Sequence, residues 1–343
     1  MTSASGDSGA GPVMSARTLG RSGVSVTSLG FGGAAVAGLF EDVGEEAAAA
    51  AVDAAWEAGI RYFDTAPHYG LGVSERRMGA ALRSRPRDSF TLSTKVGRVL
   101  DPHDGGGDDR ANGFAIAATH RRRWDFSADG VRRSLEDSLT RLGLDRVDLV
   151  LLHDPDDHEE QAFKEAYPAL EELRAQGVVR AIGVGMNQTR MLTRFVTDTD
   201  IDAVLCAGRY TLLEQGALDS LLPAAARTGK SVIIGGVFNS GLLANPAPDA
   251  TYDYATAPDA LVRRALRIRD VTEAHGVPLR AAALRFPFGH PAVGSVLLGA
   301  RSAEQVRDAV EQFHRFLPDT VWEGLRAQDL LTAGVPVPRR SET

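Results

Sequence analysis

The stretch "VDLVLLHD" (147–154) decides how this chain folds. Leu149, Val150, Leu151 and Leu152 follow one another without a polar interruption. A strand with one wet face alternates apolar and polar residues. An unbroken aliphatic run belongs to a strand buried on both faces, the condition of a parallel sheet covered by helices. Where the apolar part stops, His153 places a titratable group at the strand's end.

Seven further runs resemble it: "VTSLGFGG" (26–33), "IRYFDTA" (60–66), "FTLSTKV" (90–96), "VRAIGVGM" (179–186), "DAVLCAG" (202–208), "SVIIGGVF" (231–238) and "AVGSVLLG" (292–299). Helix-like stretches separate them. "EEAAAAAVDAAWEAG" (45–59) stops at Gly59, a residue suited to the left-handed turn that closes a helix. "SERRMGAALRS" (74–84) opens with Ser74, an expected N-cap. "SADGVRRSLEDSLTRLG" (127–143) sets Val131, Leu135, Leu139 and Leu142 at helical spacing. "AYPALEELRAQG" (166–177), "EQGALDSLLPAAARTG" (214–229) and "SAEQVRDAVEQFHRF" (302–316) follow the same logic. Eight strand–helix units in about 300 residues predict an α/β fold, a closed (β/α)8 TIM barrel. The expected domain is a single barrel over 15–333, with a disordered tail at 1–14 and a C-terminal tail at 334–343.

Two segments break the alternation. "RTLGRSGVSV" (17–26) reads as an N-terminal hairpin turning at Ser22-Gly23. After the third strand, residues 97–126 form a loop too long for a plain connection, so a lid over a pocket is expected there. Its "DGGG" (104–107) suggests mobility, while Phe114, Ile116, Trp124 and Phe126 suggest packing. The basic run "HRRRW" (120–124) within it is read as a solvated loop, or as a lid touching an anionic ligand.

Composition narrows the function. With 43% hydrophobic and 24% charged residues, the chain is an ordinary soluble globular one, and no apolar span is long enough for a membrane helix. A net charge of −7 argues against nucleic-acid binding. The N-terminus lacks the blocks of a signal peptide, which points to the cytoplasm. Cys206, the lone cysteine, is read as a buried core thiol. "HDPDDHEE" (153–160) is rich in metal-ligand types, but its later residues share one loop, so no metal is expected.

In such a barrel, chemistry belongs at the C-terminal ends of the strands. The second strand ends at Asp64 with Tyr69 just beyond, the third carries Lys95, and the fourth ends at His153. A phenol ordinarily titrates near about 10. A neighbouring ammonium favours its phenolate form and brings proton exchange toward neutral pH. Lys95 supplies that charge, Asp64 orients Lys95, Tyr69 moves the proton, and His153 bonds the same substrate oxygen or relays its proton. Taken singly each residue is structural more often than not; as a set at successive strand mouths they read as catalytic.

"FDTAPHYG" (63–70), "LSTKVGR" (92–98) and "VDLVLLHD" resemble motifs of the aldo-keto reductase superfamily, in order over about 16–316. The resemblance implies a barrel that transfers hydride to or from a nicotinamide dinucleotide, with Asp64, Tyr69, Lys95 and His153 as its tetrad. "APHYGLGVSERRMGAAL", "LHDPDD", "GVGMNQ", "AGRYTLLEQ" and "GGVFNSGLL" are most similar to sugar-oxidising members, the D-threo-aldose 1-dehydrogenases (L-fucose and D-arabinose dehydrogenases), and to pyridoxal 4-dehydrogenases. These oxidise a cyclic hemiacetal to a lactone. The alternative within the class is an NADPH-dependent carbonyl reductase. A regulatory nucleotide-binding subunit and a metal-dependent barrel hydrolase are the competing classes.

The resemblance also implies cofactor contacts. Met186 or Asn187 stands where the carboxamide is held, and Asn187 is favoured because it both donates and accepts. Ala207 replaces the usual Gln on the sixth strand. Gly235 replaces the stacking aromatic after the seventh, with Phe238 as a substitute. For the phosphates, "FNSGLL" (238–243) offers Asn239, Ser240, Gly241 and Leu243, and "GARSAEQV" (299–306) offers Gly299, Arg301 and Gln305, with Ser302 as a helix cap. NAD is the expected cofactor, with NADP possible, because Gly299 and Gln305 are uncharged where NADP-devoted members carry Lys and Arg.

Overall fold

The computed structural model describes residues 14–253 and 255–339. Eight parallel strands close in chain order: β1 (Leu29–Gly32), β2 (Tyr62–Asp64), β3 (Thr91–Val96), β4 (Leu149–His153), β5 (Ala181–Met186), β6 (Ala203–Ala207), β7 (Ser231–Gly235) and β8 (Val293–Gly299). Every one of the eight apolar runs supplies a barrel strand. Helices α1 (Glu45–Glu57), α2 (Val73–Leu82), α3 (Ala128–Leu142), α4 (Tyr167–Ala175), α5 (Thr189–Asp198), α6 (Leu221–Thr228), α7 (Asp259–Ala274), α8 (Leu279–Arg285), α9 (Ala303–His314) and α10 (Asp319–Ala327) accompany them.

The strands are apolar on both sides because each side meets a separate core. Leu149, Leu151, Ala181, Ala203, Leu205, Ile233 and Leu297 point inward; Val150, Leu152, Ile182, Val184, Val204 and Ile234 meet the helices. The N-terminal hairpin, Ala16–Thr18 paired with Ser25–Thr27, adds Leu19, Val24 and Val26 to the inner cluster and so plugs the end where the strands begin. The opposite, C-terminal end is left open for a site.

Helix caps show where local chemistry won. Gly59 takes φ 85° after α1, as its position implies. Ser127 and Ser302 cap α3 and α9 by accepting from Gly130 N and Gln305 N. The expected Ser74 cap is corrected: α2 begins two residues earlier, with Gly72 at φ 80° in the cap position. Ser74 is buried and its Oγ accepts from Thr65 Oγ1 at 2.7 Å, tying α2 to the end of β2.

The 97–126 segment is more ordered than its glycines imply. Arg98–Pro102 pairs antiparallel with His120–Trp124, and Asp108–Asp109 pairs with Phe114–Ala117. "HRRRW" is therefore a strand rather than a loop; Arg121, Arg123 and Trp124 are exposed on it, whereas the Arg122 side chain is only 5% exposed. Phe114 and Phe126 are buried as expected, whereas Trp124 is 44% exposed and lies under the Arg98 guanidinium, 5.4 Å from its ring centre. Positions 1–13 and 340–343 of the expected tails lie outside the described residues. Met14 and Val335, also read as tail, are buried, and Arg326 Nη2 donates to the Val335 carbonyl at 2.9 Å. Cys206 is wholly buried, and burial pushes its thiol up to about 12. Among the described residues no helix is long and apolar enough to cross a membrane.

Candidate active site

A cavity of about 600 Å³ opens at the C-terminal mouths of β3 to β6. Tyr69, Lys95 and His153 line it, with Arg98, Asp154, Gly185, Met186, Asn187 and Ala207 around them and residues 110–115 of the hairpin above. A larger cavity, about 720 Å³, lies at the opposite end among Arg61, Arg87, Asp148 and Arg180. Size alone would favour that one. It holds none of the convergent proton-transfer groups, and the strand beginnings are where barrels keep stability rather than chemistry.

The register of the sheet brings the site together. Asp64 pairs with Ser93 across β2–β3, Lys95 with Leu151 across β3–β4, and His153 with Gly185 across β4–β5. Lys95 Nζ donates to Asp64 Oδ2 at 2.6 Å and to the Thr65 carbonyl at 3.1 Å. Ser93 Oγ donates to the other carboxylate oxygen at 2.7 Å. Lys95 is 1% exposed. Its burial works against the charge, but the Asp64 carboxylate and the Tyr69 phenol outweigh it and hold the ammonium above its ordinary pKa. The Tyr69 ring sits over this ammonium, 4.5 Å from Nζ to ring centre, and meets the His153 ring edge to face at 5.7 Å.

His153 is held neutral. Burial first, then the charges of Arg98 and Lys95, push it well below the ordinary histidine value. Its Nδ1 is buried without a hydrogen-bond partner among the described residues. Asp154, in a left-handed conformation at φ 42°, pairs with Arg98 at 2.5 Å; burial raises its carboxyl against that cation's pull. Arg98 and Asp154 were not singled out in the sequence. Their signal was adjacency to Lys95 and His153 in the same strand-end motifs.

The sequence-predicted cofactor residues fall into two groups. Asn187 lines the cavity beside Met186, at the end of β5. The floor there is built from Gly185 and Ala207. The rest lie beyond β7 and β8. Phe238 is half-buried against the core. Asn239, Ser240 and Gly241 take φ of 48°, 58° and 105°, a run of left-handed residues in which Asn239 N and Gly241 N donate to the Gly236 and Phe238 carbonyls at 2.8 and 3.1 Å. A side chain added at Gly241 would meet nothing, and one at Gly299 only Ala35 at 3.8 Å, so a ligand can approach both backbones. That space leaves room for a dinucleotide's phosphates. The side chains of Asn239 and Leu243 are otherwise engaged: Asn239 bonds Thr211 Oγ1 at 2.6 Å and the Gly208 carbonyl at 3.2 Å, and Leu243 is fully buried. Gln305 is likewise used locally, its Oε1 accepting from Arg301 N at 2.8 Å. Arg301 reaches Glu41 at 3.3 Å and the Leu39 carbonyl at 3.1 Å. No cluster of three or more His, Cys, Asp or Glu able to hold a metal occurs among the described residues.

Comparison with known proteins gives the family. The family model "Aldo/keto reductase family" matches residues 28–329. A D-threo-aldose 1-dehydrogenase from Pseudomonas sp is 45% identical over 315 residues, covering 90% of this chain and 96% of that protein. A pyridoxal 4-dehydrogenase from Microbacterium luteolum is 39% identical over 335 residues, covering 92% and 98%. Among solved structures, the holo form of an aldo-keto reductase from Bacillus halodurans superposes with a TM-score of 0.73 at 27% identity, covering 94% of this chain and 98% of that one. The barrel and the strand-mouth cavity thus sit in a chain that belongs to the aldo/keto reductase family and is an oxidoreductase.

Proposed function

We propose that this enzyme oxidises the hemiacetal carbon of an aldose of the L-fucose or D-arabinose type to a lactone, with NAD as the preferred dinucleotide. The observation that carries the reading is the Lys95 ammonium, clamped by Asp64 at 2.6 Å beneath the Tyr69 ring at the cavity wall. The 45% identity to a D-threo-aldose 1-dehydrogenase supports the substrate class.

A bound nicotinamide ring supplies the hydride acceptor. The chain's own residues handle the proton. Tyr69, its phenolate form favoured by the Lys95 charge, removes the hydroxyl proton of the hemiacetal as the carbonyl forms. Asp64 keeps Lys95 charged and aimed. His153, neutral, bonds the same substrate oxygen without adding a charge that would oppose proton removal. A bound dinucleotide would be held by Asn187 at its carboxamide and by Phe238 against its ring, with its phosphates near Gly241, Gly299 and the start of α9.

The test is a panel of L-fucose, D-arabinose, L-galactose and pyridoxal, each with NAD and with NADP, monitored for reduced nicotinamide. Turnover of the aldoses with NAD supports the reading. Turnover of pyridoxal alone, or only carbonyl reduction with NADPH, replaces it.

A further inference from the structure

His68 belongs to the cavity wall but has no part in the proton transfer described above. It precedes Tyr69, and its ring centre lies 5.5 Å from that of His153, 5.4 Å from that of Phe114 and 6.2 Å from that of Tyr69. Its Nδ1 receives Arg122 Nε at 2.5 Å, and its carbonyl receives Arg122 Nη2 at 2.9 Å. A guanidinium has donors only and stays charged. Nδ1 must therefore be the bare nitrogen, and the ring's one proton sits on Nε2. A second proton would set N–H against N–H. Burial first, then the charges of Arg98, Arg122 and Lys95, depress the ring's pKa to about 2.

Arg122 is not free to turn away. It grips Asp109 with both terminal nitrogens, at 2.7 and 2.5 Å, and Asn112 Nδ2 donates to the same carboxylate at 2.8 Å. Side-chain exposure is 5% for Arg122 and 4% for Asp109. The hairpin after β3 thus sets the tautomer of an active-site ring. Among the described residues His68 Nε2 has no hydrogen-bond partner, and it is not among the sealed, unpaired polar atoms. It is a fixed donor facing an open cavity, unable to act as an acceptor.

We propose that His68 is a specificity-determining residue whose Nε2–H donates to the substrate hydroxyl on the carbon next to the reacting one, and that Arg122, held by Asp109, is the positioning residue that keeps the proton there. The inference rests on the aldose reading above. Tyr69 and His153 meet the reacting oxygen, and His68 stands beside both, where the neighbouring hydroxyl of the same sugar arrives. A site built to bond a hydroxyl rejects an analogue lacking it, because the protein's own polar group is left unpaired.

The experiment compares an aldose that the enzyme turns over with its 2-deoxy analogue, in wild type, His68→Phe and His68→Gln. Nitrogen-15 spectra of the imidazoles are recorded in parallel, without substrate, for wild type and Arg122→Met, with His68→Phe assigning the signal. Loss of the hydroxyl should cost wild type about 10- to 100-fold in kcat/KM, mostly through KM. His68→Phe should nearly abolish the difference, and His68→Gln, which keeps an N–H donor, should restore part of it. Wild type should show one neutral ring protonated at Nε2, and Arg122→Met a mixture of tautomers. An equal deoxy penalty in wild type and His68→Phe overturns the substrate contact. A wild-type ring protonated at Nδ1, or charged near neutral pH, overturns the role of Arg122. If wild type oxidises no aldose, the sugar reading falls and the hydroxyl falls with it as the partner of His68. The spectra then separately uphold or overturn the tautomer lock.

Discussion

Lys95 keeps its charge although it is almost wholly buried, because Asp64 and the Thr65 carbonyl take the place of water. Coulomb attraction is mutual: the cation that Asp64 stabilises in turn stabilises an anion on Tyr69. Two outcomes follow at this scale. Tyr69→Phe should lower turnover by about 10²- to 10⁴-fold, the typical worth of a general acid/base, with dinucleotide affinity measured by fluorescence titration nearly unchanged. A variant retaining about a tenth of the wild-type rate would assign the proton to another group. Lys95→Met removes the cation and disfavours phenolate, so the rise of kcat with pH should move to higher pH. Superimposable pH profiles for wild type and Lys95→Met would remove this role from Lys95.

Elements hold these residues in register, and they also show what the sequence could and could not reveal. Asp64, Lys95 and His153 were legible because each interrupts an apolar run at the end where barrel strands carry chemistry. The contact between Arg122 and His68 was not, because it joins residues 54 apart through a hairpin pairing that a glycine-rich composition conceals. Ser74 was misassigned because its cap preference lost to a buried bond with Thr65. The cofactor residues are expected from motif alone, and the burial of Leu243 and the side-chain bonds of Asn239 emerge only in three dimensions. Packing between elements makes its own prediction. A Cβ at Gly79 of α2 would lie 1.9 Å from the main-chain oxygen of Leu142 at the end of α3. Gly79→Ala, despite better helix propensity, should destabilise by about 1–3 kcal/mol as an overpacked contact. Urea denaturation gives the value, and an unchanged or higher midpoint would show that the two helices separate freely.

At the scale of the whole molecule, barrel closure bears on the choice of dinucleotide. β8 pairs with β1, Gly299 opposite Gly32, so the chain's eighth loop lies beside its first. Arg301 spans the two, reaching Glu41 and the Leu39 carbonyl. That first loop also binds the hairpin after β3, through the Leu39–Phe114 bridge and the Phe40 N to Gly113 carbonyl bond at 2.8 Å. Arg301, a cation expected near the adenosine end, is thus already engaged with the roof of the substrate cavity. Gly299 and Gln305 add no charge, and Gln305 is spent on the Arg301 amide. A 2′-phosphate, best held by Arg or Lys, would have to draw Arg301 from Glu41 and would meet that carboxylate as a like charge. The enzyme should therefore prefer NAD, read as kcat/KM for the two dinucleotides at one saturating sugar. Glu41→Gln should shift the ratio toward NADP by about two- to fivefold, the size of a partly exposed ion pair. It should leave kcat with NAD unaltered, since Glu41 lies outside the proton-transfer set. A wild-type preference for NADP of about tenfold would mean that Arg301 exchanges Glu41 for the phosphate at little cost, and an unmoved ratio in Glu41→Gln would mean that the pair does not govern the choice.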